Sequence, residues 1–137
     1  YTRHRLAASR LAAYLLRALG LGPPPLVPPK RVLFLLPPNT AFPRGGYVSK
    51  NLLTGLRTLL GAEAVLDFPR YGEVYVGGRR VRGRGGDMST EGVQPLPREA
   101  PATFEDVQSQ LAAGAFDAVV YSNARAPLAF WDLVRPR

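Results

Sequence analysis

The sequence predicts an α/β fold, a Rossmann-like three-layer sandwich on a parallel sheet, and three observations carry that reading. Two short apolar runs, Arg31-Val32-Leu33-Phe34-Leu35-Leu36 and Phe116-Asp117-Ala118-Val119-Val120-Tyr121, have the composition of strands buried on both faces. A leucine-rich helical stretch separates the first of them from another short strand, Ala64 to Phe68. Strand and helix alternate along the chain, the order that right-handed crossovers convert into parallel pairing. Strands near 31–36, 64–68 and 116–121 are therefore expected to be parallel, with the first in the middle and the first and third apolar enough for interior positions.

Taken in order, residues 3 to 19 read as a helix. Ala8, Leu11, Leu15 and Leu19 make an apolar stripe, and Arg3, Arg10 and Arg17 recur every seven residues on roughly the opposite face. The arginines interrupt every apolar run, so the segment is too polar to span a membrane. A helix with arginine and no acid resembles an organelle transit segment or an interfacial helix; a peripheral helix packed on its own domain is the plainer reading. Gly22-Pro23-Pro24-Pro25-Leu26-Val27-Pro28-Pro29 suits an extended polyproline spacer. The organisation this gives is a basic amphipathic helix over 1–21, a linker over 22–29 and a Rossmann-like domain over 30–137.

The first strand ends at Pro37-Pro38, and a polar, glycine-containing loop follows, Asn39 to Tyr47. Leucines at 52, 53, 56, 59 and 60 then form one helical stripe, with Ser49 placed to cap its start and Gly61 its end. After the second strand, residues 73–82 read as a β-hairpin insertion turning at Gly77-Gly78, with Val74 opposite Val81 and Glu73 opposite Arg82. Residues 83–101 are rich in Gly, Pro and polar groups and suit a long surface loop. Thr103, with Asp106 three residues later, marks a helix start, and Gly114 its stop. Ser122 to Arg125 form the loop after the third strand, and Pro127 to Val134 can begin another helix. Three strands and a hairpin fall short of the five or six usual for a doubly wound sheet. The chain, opening at Tyr1 and closing at Arg137, is on this count expected to be truncated.

Composition narrows the chemistry. The formal net charge is +8, and nine Lys/Arg but no acid precede Glu63. That asymmetry points to a nucleic acid or an anionic membrane surface as a less favoured partner. There is no cysteine, which removes disulfides and thiolate catalysis, and the single histidine, His4, lies in the N-terminal helix, which argues against a Ser-His-Asp triad. No carboxylate pair is spaced for a metal, so no metal site is expected. Glu105 and Asp106 are adjacent and suit a helix cap better than acid–base work. Gly83-Arg84-Gly85-Gly86-Asp87-Met88 lacks the ending of a dinucleotide fingerprint, and Arg44 to Lys50 lacks that of a phosphate loop. Gly45-Gly46 can still offer backbone amides to an anion. Arg79, Arg80, Arg82 and Arg84 are the densest basic cluster, read as solvated arginines that block pairing at a sheet edge.

From residue 31 to about 125 the chain resembles a family. The run Gly55-Leu56-Arg57-Thr58-Leu59-Leu60-Gly61, then Val65-Leu66-Asp67-Phe68-Pro69, is similar to the N-terminal region of predicted glycosyltransferase-like proteins of the two-Rossmann-domain (GT-B) type. Gly83-Arg84-Gly85 and the strand Gly114-Ala115-Phe116-Asp117-Ala118-Val119-Val120-Tyr121 extend the likeness. The resemblance implies an N-terminal, acceptor-side domain. It also implies a nucleotide sugar as co-substrate, no cofactor in this chain, and a C-terminal domain elsewhere that holds most nucleotide-sugar contacts.

On that reading the loops after the first and third strands adjoin. Asn39, Thr40, Arg44, Gly45 and Gly46 meet Ser122, Asn123 and Arg125 at a shared substrate cleft. Hydroxyl and amide groups suit sugar hydroxyls, and arginine suits a diphosphate. No catalytic residue is assigned. The alternative is a non-enzymatic basic binding domain in a nucleic-acid-containing assembly. A soluble protein, cytoplasmic or organellar, is expected in either case.

Overall fold

A computed structural model describes residues 2–20, 31–36, 47–71, 74–75, 100–122 and 129–134. Its elements run α1 (Thr2–Ala18), β1 (Val32–Leu35), α2 (Tyr47–Leu60), a 3-10 turn (Ala62–Ala64), β2 (Val65–Phe68), α3 (Phe104–Ala112), β3 (Ala118–Tyr121) and α4 (Trp131–Val134). The three strands form one parallel sheet in the order β2-β1-β3. Val32 pairs with both Val65 and Ala118, and Leu35 with both Phe68 and Tyr121. The mixed α/β architecture and the central place of β1 match the sequence expectation.

The period of two in β1 sorts the core into two faces. Val32, Phe34 and Leu36 join Leu52, Leu53 and Leu56 of α2, Ala12 and Leu16 of α1, and Val65, Tyr71, Val74, Tyr75 and Val120. Leu33 and Leu35 face the other way, onto Val107 of α3 with Leu66, Phe68, Leu111, Phe116, Val119, Tyr121 and Phe130 around them. Helices thus cover both faces because the crossover from β1 to β2 and the crossover from β2 back past β1 to β3 run in opposite directions across the sheet.

Four expectations need correction. Ser49 does not cap α2, which starts at Tyr47; the serine is buried inside the helix. It lies one turn ahead of Leu53 on the stripe 49, 53, 56, 60, so the phase that buries the leucines buries it too. Leu59 falls outside the covered arc and is exposed. In α1 the buried stripe is Ala8, Ala12 and Leu16, while Leu11 and Leu19 are exposed and Leu15 is partly buried. The phase is set by α2, because a Cβ on Gly55 would collide with the Ala8 carbonyl, standing 2.7 Å from its carbon. Only small side chains fit where helices approach that closely. Finally, β3 is not an interior strand: only Val120 is buried, since β1 is its single strand neighbour among the described residues.

Other local signals hold. Gly61 and Gly114 end their segments at φ +97° and +67°, the region glycine tolerates. Thr103 caps α3 in a reciprocal box with Asp106. Apart from Val74 and Tyr75, the hairpin expected over 73–82 lies outside the described residues, as do the 22–29 spacer and the 83–99 loop.

Candidate functional site

The carboxyl edge of the sheet is where an open α/β fold places its ligands, at the strands between which the chain reverses its direction of travel. Here β2 and β3 flank β1, so the reversal falls between β1 and β3. The connection from β1 leads to α2 on one face, and the chain after β3 leads to Phe130 on the other. Backbone bonds tie the strand ends together. Leu36 N–H donates to the Phe68 carbonyl at 2.8 Å, and Ser122 N–H donates to the Leu35 carbonyl at 2.9 Å. The loops after β1 and β3 therefore spring from neighbouring points.

Of the residues expected in the cleft, Ser122 alone is described. It sits half-buried at the end of β3, and its Oγ is buried with no hydrogen-bond partner among the described residues. A buried hydroxyl left unsatisfied costs about 1–3 kcal/mol, and Thr54 Oγ1 of α2 is in the same condition. Asn39, Thr40, Arg44, Gly45, Gly46, Asn123 and Arg125 lie outside the described residues. Beside Ser122, the Tyr121 hydroxyl donates to the Ala129 carbonyl at 2.8 Å, and burial raises its pKa. The Tyr121 ring meets Trp131 edge-on with centroids 6.1 Å apart.

A second polar group, absent from the sequence expectations, lies between α2 and the chain leaving β2. Residues 49–57 are buried throughout, among the sheet, α1 and residues 67–71 and 74–75. Lys50, Thr54 and Arg57, spaced i, i+4, i+7, share one face. Arg57 Nη1 lies 3.6 Å from Asp67 Oδ1, with both side chains buried. Arg57 also donates to the Tyr75 hydroxyl and, from Nη2, to the Ala62 carbonyl at 2.9 Å. Tyr75 O–H in turn donates to Asp67 Oδ1, and Tyr71 N–H donates to Asp67 Oδ2 at 2.7 Å. Arg70 stacks over the Tyr75 ring at 4.0 Å and Lys50 over the Tyr71 ring at 5.8 Å.

This cluster pins the segment that follows β2 and so fixes one wall of the carboxyl edge. Two signals in the sequence could have found it. Asp67 is a lone acid in the otherwise apolar strand Val65–Phe68, and Lys50 and Arg57 are cations on the leucine-rich helix α2. A charge at such a position needs a partner.

Among the described residues, no group of His, Asp or Glu side chains is placed to hold a metal. Among them also, no helix is long and apolar enough to cross a membrane. Comparison with protein-family models, with curated proteins and with solved structures finds no match.

Proposed function

We propose that this chain is the acceptor-side, N-terminal Rossmann-like half of a glycosyltransferase-like protein, transferring a glycosyl group from a nucleotide sugar. The observation that supports it best is the switch point between β1 and β3, with the Ser122 hydroxyl, unpartnered among the described residues, beside it. The loops rooted there carry Asn39, Thr40 and Asn123 for sugar hydroxyls, and Arg44 and Arg125 for a diphosphate. Gly45-Gly46, just before α2, adds backbone amides for the same anion. The motifs that resemble the GT-B-type family have structural work of their own. Gly55 admits α1, Leu56 fills the core, and Arg57 pairs with Asp67. A second domain would complete the donor site.

Trp131 is the single tryptophan and touches Tyr121 at the end of β3, so its fluorescence reports on this edge. Titration with nucleoside diphosphates and nucleotide sugars should give a saturable signal. Arg44→Ala and Arg125→Ala should each weaken binding about tenfold or more, the worth of a charge-assisted hydrogen bond. Binding that neither substitution weakens removes this cleft. A preference for oligonucleotide that falls steeply with salt favours the basic binding domain instead.

A further inference from the structure

We draw no further inference here: the strongest candidate, the exposed aromatic patch of Phe104 and Trp131 beside Phe130 at the carboxyl end of the sheet, carries nothing because nothing in the structure shows what covers it.

Discussion

On the α2 face of the sheet, the core is thick and mixes leucine with charge. Two helices stack there, and Arg57 and Asp67 are held between α2 and β2 by the Tyr75 hydroxyl, which accepts from Arg57 and donates to Asp67, and by the Tyr71 N–H, which donates to Asp67. On the α3 face, the core is thin and apolar. Val107 is the one fully buried side chain of its helix, and an aromatic group of Phe68, Phe104 and Phe130 closes the carboxyl end. Phe104 and Phe130 stack 4.6 Å apart, yet Phe104 remains about half exposed. The α2 face depends on partners distant in sequence, while α3 is defined by its own cap. Substitutions on the first face should therefore act on the whole domain, and those on the second should act locally.

The largest expected effect is at Asp67. Replacing it with Ala leaves the Arg57 charge buried without its counterion, 3.6 Å from where the carboxylate stood. Removing one partner of a buried pair costs about 3–5 kcal/mol, a large share of the 5–15 kcal/mol typical of a domain. Urea denaturation should show it. The double replacement Arg57→Met/Asp67→Leu should recover most of the loss, because no lone charge remains. If Asp67→Ala is mild, the two faces do not differ as described.

Next comes Gly55, where two effects oppose. Alanine is the better helix former by about 1 kcal/mol. Its Cβ, however, would meet the backbone carbonyl of Ala8, which cannot rotate away. Overpacking of this kind costs about 1–3 kcal/mol, so Gly55→Ala should lower the melting temperature and expose α1 to protease. A rise in stability would mean that α1 does not rest on α2 at this point.

Sequence reasoning reached the elements whose signals are local. The strands, their parallel order around β1, the Thr103–Asp106 box and the glycine stops were all legible from periodicity and cap chemistry. It missed what a neighbour decides. Ser49 has the residue type of a cap, but two further residues, Tyr47 and Val48, extend the helix ahead of it. Leucine outranks alanine as a core candidate, but Gly55 makes the contact too close for leucine. The Asp67–Arg57 pair joins residues whose meeting depends on the crossover from α2 to β2. Of the candidate site, the strand ends and Ser122 could be read against the structure, because the other seven residues lie outside the described segments.

The smallest effects belong to the α3 cap. Thr103 Oγ1 accepts from Asp106 N–H at 3.1 Å, and Asp106 Oδ2 accepts from Thr103 N–H at 3.0 Å. Thr103→Ala should cost about 1 kcal/mol, far below Asp67→Ala, and hydrogen exchange should quicken in α3 while the α2 face stays protected. The cap also carries a pH signature. The backbone N–H of Thr103, and then its hydroxyl, hold the Asp106 carboxyl below its ordinary value. A carboxylate pKa depressed by folding stabilises the folded state above the unfolded pKa, and that stabilisation is lost as pH falls through the folded one. The advantage of the wild type over Asp106→Ala should therefore be constant near neutrality and shrink in acid, the group being fully exposed. Urea melts of the two proteins from pH 7 downward would check it. A difference that grows in acid would remove the carboxylate from the cap and leave the α3 face without its local anchor.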